Sequence, residues 1–260
     1  MMFEYQITFI VADASANARL SPHLCKLARK FKSDLSILNL TRNRRASLSH
    51  SLAIMQAALV DGDLCQITAV GIDAELACFV LKDIIADHHT LIGSKVSYEF
   101  SSQLAQRVPA LQLPIATQWS YAKAQTQLTK FAGLKAVAQL IYPTNPDELI
   151  LAMIKREERS STCVTAGIAL PHVMFDDVDQ INIAVISSDS PIDWDSRLGE
   201  VNLIIAIVMP TSPTRDQVMA ATNLTRNLLT GDLAQRLLLT RSGIELQAIL
   251  MYSMTRLLEA

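Results

Sequence analysis

The chain has 260 residues, with 23 Lys and Arg against 25 Asp and Glu, a formal net charge of −2. Half of the residues are hydrophobic and 18% are charged, which excludes a disordered polymer and argues against a broad basic surface for nucleic acid. The length fits one large or two small domains. The longest apolar run, Leu203–Met209, falls far short of the ~20 residues a membrane-spanning helix needs, so no membrane insertion is expected.

Phe3–Ala12 is rich in aromatic and β-branched residues and predicts a first strand. A secretory leader over Met1–Ala18 is not supported, because that segment carries Glu4 and no Lys or Arg before a short apolar run. Asn17 or Ser21 is the expected cap of a helix to about Phe31, with Leu20, Leu24, Leu27 and Phe31 on one stripe. A strand over Asp34–Leu40, a turn at Thr41–Arg45, a helix over Leu48–Val60 and a turn at Asp61–Asp63 follow. Leu64–Val70 then reads as a strand and Ala74–His89 as a helix, with His88 and His89 as a surface pair at its end. The order β-α-β-(β)-α-β-α predicts an open-faced α/β sandwich with the helices on one side of the sheet.

Between residues 93 and 121 the periodicity weakens, and Pro109 and Pro114 interrupt it. This stretch is the expected linker, with one short helix at Ser101–Arg107. Helices are predicted over Ala124–Leu140 and Pro146–Arg159, and strands over Val164–Leu170, Gln180–Ser187 and Val201–Met209. Pro191–Asp195 reads as a short extended piece, and helices over Thr214–Leu228, Asp232–Leu239 and Gly243–Leu258 close the chain. Four cysteines lack CxxC spacing and read as buried thiols of a reducing compartment, so a cytoplasmic location is expected. No metal-ligand cluster is legible.

Among the five histidines, His172 stands apart. It closes the run Gly167-Ile168-Ala169-Leu170-Pro171-His172, where Pro171 stiffens the backbone at the end of an apolar strand. A histidine side chain titrates near pH 6.5, so a neutral, nucleophilic imidazole is available at neutral pH. Upstream, Arg156-Glu157-Glu158-Arg159-Ser160-Ser161-Thr162 adds cations and hydroxyls. The plainer reading of that run is a solvated helix C-terminus, its basic residues answering the macrodipole.

The pattern REExSST followed by GIALPH resembles the signature of the enzyme IIA domains of the phosphoenolpyruvate-dependent phosphotransferase system, of the mannitol/fructose/nitrogen-regulatory type. Pro191–Asp195 (PIDWD), the strand ending Val208-Met209-Pro210 and Asn223–Leu229 extend the resemblance over about residues 122–260. It implies an α/β sandwich whose helices flank a mixed sheet. It implies that His172 accepts a phosphoryl group from phospho-HPr and that Arg156 lies by the phosphate. At the position where many members carry a second histidine this chain has Gln217. An amide there can donate a hydrogen bond to a phosphate oxygen but supplies neither proton nor charge.

Residues 1–92 resemble HPr in element order, in Pro22 opening the first helix and in the Asp61–Asp63 turn. Where HPr has its carrier histidine this chain has Arg19, which can bind phosphate but cannot carry it. His23 is a rival acceptor on the first turn of that helix. The resemblance implies the organisation 1–92, linker 93–121, and 122–260. It implies a phosphotransferase component with no bound cofactor, partnered by phospho-HPr and by an enzyme IIB. The alternative is a regulatory protein whose phosphorylation state or docked surface controls a partner. Arg19 is the candidate regulatory residue, brought to the His172 phosphoryl group by docking of the two domains or on another partner.

Overall fold

A computed structural model describes residues 3–93, 99–230, 232–240 and 242–258. The chain divides into two compact units: residues 1–96 with 106–111 and 258–260, and residues 97–105 with 112–257.

The first unit holds β1 (Phe3–Ile10), α1 (Asn17–Ala28), β2 (Asp34–Asn39), β3 (Arg44–Ser47), α2 (Ser51–Gln56), β4 (Leu64–Gly71), α3 (Ala74–Ala86) and β5 (Thr90–Gly93). Its sheet has the order β3-β2-β4-β1-β5, antiparallel throughout. Alternation puts Ile7, Phe9, Leu35, Ile37, Cys65, Ile67 and Ala69 on one face. There they pack with Leu20 and Leu24 of α1, Ile54 of α2 and Leu81 and Ile85 of α3. The opposite face carries a polar contact within it: Gln66 donates from Nε2 to Gln6 and Thr8, each at 3.1 Å.

Three local readings change. α1 begins at Asn17 with Ala16 as its N-cap, so neither Asn17 nor Ser21 caps it, and Pro22 lies inside the helix instead of opening it. Proline lacks the N–H that would bond one turn back. The added turn is supported beside it by Ser21, whose hydroxyl donates to the Asn17 carbonyl at 2.7 Å. β3 occupies part of the stretch read as a turn, pairing Arg44 with Asn39. His89 is not a surface residue: it is 5% exposed and stacked on Phe9, ring centroids 5.3 Å apart. Among the described residues its ring nitrogens have no hydrogen-bond partner.

That placement has a pH consequence. Burial lowers the His89 pKa from its ordinary value, outweighing the raising influence of the His88 backbone and of Asp13 and Asp61. The unfolded side chain titrates at about 6.5. The unfolded chain therefore takes up the proton first as pH falls. His89's contribution to stability is complete above that value and is lost as pH falls through the lower folded value. The thermal midpoint of the first unit is expected to drop between pH 7 and pH 5, and to drop less in His89→Phe, as followed by circular dichroism.

The second unit adds α4 (Leu104–Arg107, in part), β6 (Thr117–Lys123), α5 (Lys130–Ile141), α6 (Asp147–Arg159), β7 (Cys163–Thr165), β8 (Gly167–Ala169), β9 (His172–Phe175), β10 (Ile181–Ile192), β11 (Val201–Pro210), α7 (Arg215–Leu229), α8 (Leu233–Leu239) and α9 (Gly243–Thr255). The mixed sheet runs β6-β10-β11-β8-β7, and β9 also pairs with β11. β11 is buried on both faces. Ile204, Ala206 and Val208 join Leu134 and Val137 of α5 and Leu149 and Met153 of α6, while Leu203, Ile205 and Ile207 are buried on the other side.

The stretch read as linker supplies β6, which pairs in parallel with β10 from Thr117↔Ile181 to Lys123↔Ser187. Its polar and aromatic alternation is weak when read alone, and the neighbouring strand completes it. α5 consequently starts at Lys130, six residues later than the helical periodicity suggests, with Thr129 accepting from the Ala132 N–H at 3.2 Å. The two extended pieces predicted at Gln180–Ser187 and Pro191–Asp195 meet in one long strand, Ile181–Ile192, with a register shift between Ser187 and Ile192. All four cysteines are buried, and none is in a disulfide.

Candidate functional site

β8 and β9 lie one after the other along β11. Gly167–Ala169 pairs with Val201–Ile204, and His172–Phe175 pairs with Ile207–Pro210. Between them Pro171 has no N–H to give, so the ladder breaks there, and its carbonyl accepts from the Ile207 N–H at 2.9 Å. The reading of His172 as the end of a strand is therefore adjusted: it opens the next strand, just past a proline break, and is partly buried.

The hydrogen bonds of His172 determine its tautomer. Arg156 Nη2 lies 3.2 Å from His172 Nε2. A guanidinium offers donors and no acceptor, so Nε2 is the unprotonated nitrogen. The proton is then on Nδ1, which donates to the Leu170 carbonyl at 2.9 Å. The same arginine donates from Nη1 to the Ser160 carbonyl at 2.9 Å. Arg156 stands in the last turn of α6, where a cation suits the helix C-terminus. The pair thus presents a neutral imidazole with its Nε2 lone pair directed at a cation, an arrangement suited to taking up an anionic electrophile at Nε2.

Gln217 lies elsewhere in the hydrogen-bond pattern. It is the third residue of α7 and closes a capping box with Thr214: its Oε1 accepts from the Thr214 N–H at 2.8 Å, and its own N–H is given to Thr214 Oγ1 at 3.3 Å. Its carbonyl oxygen is committed to the cap, and its side-chain N–H groups are what remain for a ligand. Arg19 is exposed in the first turn of α1 and makes no hydrogen bond or ion pair with the described residues. The amide donors just ahead of α1 are taken by carboxylates. Asp61 accepts from the Ala14 N–H at 2.6 Å and Asp13 from the Ser15 N–H at 3.0 Å. His23, expected in the first turn, is exposed as the seventh residue of α1, past the first-turn amides that would seat a phosphate.

Of the residues predicted from sequence, the structure brings Arg156 and His172 together and leaves Gln217 of the same unit without a hydrogen bond to either, while Arg19 belongs to the other unit. Two parts of the site have no residue-type signal: the backbone carbonyls of Ser160 and Leu170, which orient the guanidinium and the imidazole. The tight turn between β7 and β8 depends on Gly167, with φ +86°. A Cβ there would also lie 2.7 Å from Leu238 Cδ1. Gly167→Ala is expected to cost about 1–2 kcal/mol, read as a lower urea midpoint of the second unit.

Comparisons with known proteins match two stretches of the chain to two families. Residues 121–252, just over half of the chain, match the family described as phosphoenolpyruvate-dependent sugar phosphotransferase system, EIIA 2. Residues 6–87 match the family described as PTS HPr component phosphorylation site. A multiphosphoryl transfer protein of Shigella flexneri is 27% identical over 111 residues, 43% of this chain and 13% of that protein. A nitrogen regulatory protein of Bradyrhizobium diazoefficiens is 26% identical over 129 residues, 49% of this chain and 84% of that protein. The solved structure of nitrogen regulatory protein IIA-Ntr from Neisseria meningitidis covers 50% of this chain and 91% of its own, at 21% identity and a TM-score of 0.45. The chain belongs to the EIIA type 2 family of the phosphoenolpyruvate-dependent sugar phosphotransferase system and carries an HPr-type domain ahead of its EIIA domain.

Proposed function

We propose that the protein is a phosphoryl carrier that accepts a phosphoryl group from phospho-HPr on His172 Nε2. The observation that supports this reading is the Arg156–His172 contact, which leaves Nε2 as the unprotonated ring nitrogen. In the transfer, the P–N bond to the donor imidazole breaks as the bond from phosphorus to Nε2 forms. The Nδ1 proton stays in place, and the Leu170 carbonyl accepts the strengthened hydrogen bond as the ring gains positive character. Arg156 turns from Nε2 to the phosphoryl oxygens, and the Ser160 carbonyl keeps its other arm in place. Gln217 supports the phosphate with its amide N–H groups. The residues named supply nucleophile and phosphate contacts, so the step draws on no bound cofactor. The phosphoryl group then passes to an enzyme IIB.

The test is incubation with phosphoenolpyruvate, enzyme I and HPr. Acid-labile phosphate on the protein supports the reading, and its absence under conditions that charge a known EIIA removes it.

The presence of Arg19 in place of a carrier histidine favours a second reading, in which the phosphorylated state is itself the signal to a regulated partner. The exposed Arg19 guanidinium then meets the phosphoryl group on His172, within the chain or on another partner. Arg19→Ala is expected to change the lifetime of the phosphohistidine about severalfold. An identical hydrolysis rate in variant and wild type would exclude that role.

A further inference from the structure

Glu157 is out of place by simple electrostatics. It sits in the last turn of α6, where a carboxylate opposes the helix macrodipole, and it is 7% exposed. The nearest cation, Lys130 Nζ, is 3.8 Å from its Oε1. Among the described residues its Oε2 is held by Thr162, which donates both its N–H at 2.9 Å and its hydroxyl at 2.5 Å.

Thr162 in turn reaches the imidazole. Its carbonyl accepts from the Leu170 N–H at 2.8 Å, and the Leu170 carbonyl accepts from His172 Nδ1 at 2.9 Å. On the other side, the Glu157–Thr162 bonds close the turn over residues 158–161. That turn contains the Ser160 carbonyl, which receives Arg156 Nη1. Both polar contacts of His172, the Leu170 carbonyl and the Arg156 guanidinium, therefore trace back to one buried carboxylate–threonine pair.

We infer that Glu157 and Thr162 are positioning residues, a clamp that sets the His172 tautomer and the reach of Arg156 together. Neither touches the reacting atoms. The clamp keeps the Leu170 carbonyl where it takes the Nδ1 proton, and so keeps Nε2 free as the nucleophile. Its effect on transfer rests on the phosphoryl-carrier reading, but its effect on the tautomer does not.

Thr162→Val removes the hydroxyl and keeps shape and N–H, Glu157→Gln removes the charge, and Thr162→Ser restores the hydroxyl. In the full-length chain, nitrogen-15 NMR of the His172 ring is expected to show the Nδ1–H tautomer in the wild type and in Thr162→Ser. A several-fold larger share of the Nε2–H form is expected in Thr162→Val and Glu157→Gln. At saturating phospho-HPr the transfer rate is expected to fall roughly tenfold in those two variants with KM unchanged, and to recover in Thr162→Ser. An unchanged tautomer ratio in a folded Thr162→Val protein overturns the inference. So does a loss that Thr162→Ser shares in full, since that marks a general loss of fold. Should Glu157→Gln not fold, the comparison of Val with Ser at position 162 decides. Should the wild type accept no phosphate, the carrier reading fails while the ring tautomers still test the clamp.

Discussion

Replacing His172 with Ala is expected to remove all acid-labile phosphate from the protein while leaving its fold intact. Of the five histidines, His172 alone is held by a guanidinium at one ring nitrogen and a carbonyl at the other among the described residues. His89 is sealed against Phe9, and His23 is exposed as the seventh residue of α1, past the helix's first turn. The imidazole is partly exposed and opens an edge segment, so truncation leaves no large cavity. Circular dichroism should be unchanged while labelling from phosphoenolpyruvate, enzyme I and HPr falls to background. Equal labelling of both proteins would move the acceptor to another residue. The chemical stability of the label is a second check, because phosphohistidine is lost in acid and survives in base, unlike a phosphoserine.

The second large effect is at Arg156. A donor aimed at charge that develops in transfer is worth about 10²–10³ in rate, and Arg156→Ala should lower the transfer rate by that much. Arg156→Lys should recover little of it. Lysine carries the charge but lacks the planar fork that holds the Ser160 carbonyl with one arm and reaches His172 Nε2 with the other. Removing the guanidinium also frees Nε2 to compete for the ring proton, so the loss should be accompanied by a mixed tautomer population in NMR. A rate loss in Arg156→Lys much smaller than in Arg156→Ala would show that charge alone suffices.

Much of this was legible in advance because it is local. Helical stripes such as Leu20, Leu24 and Leu27, and alternation such as Ile7 and Phe9, report which side of an element faces a core within one or two turns. Other features depend on a partner far along the chain. β6 needs β10, more than sixty residues away, before its mixed alternation means strand. The His88-His89 pair divides because only His89 meets Phe9 across the β1–β5 pairing. For Gln217 the sequence predicts an amide donor at the start of a helix, and what it cannot show is that the side-chain oxygen closes a cap with the Thr214 N–H.

The residue order alone carries the kinds of chemistry present: a histidine behind a proline break, an arginine in a helix's last turn, and an arginine where a carrier histidine would be. It also determined the order of the elements that hold them, because that order follows from periodicity and turn residues. Tertiary structure alone decided which ring nitrogen of His172 is free, what orients Arg156, and that Glu157 and Thr162 lie behind both. Those facts rest on backbone carbonyls and on bonds between segments, and a carbonyl has the same chemistry at every residue. Their roles exist once β8 and β9 are laid along β11 and the end of α6 is brought against them.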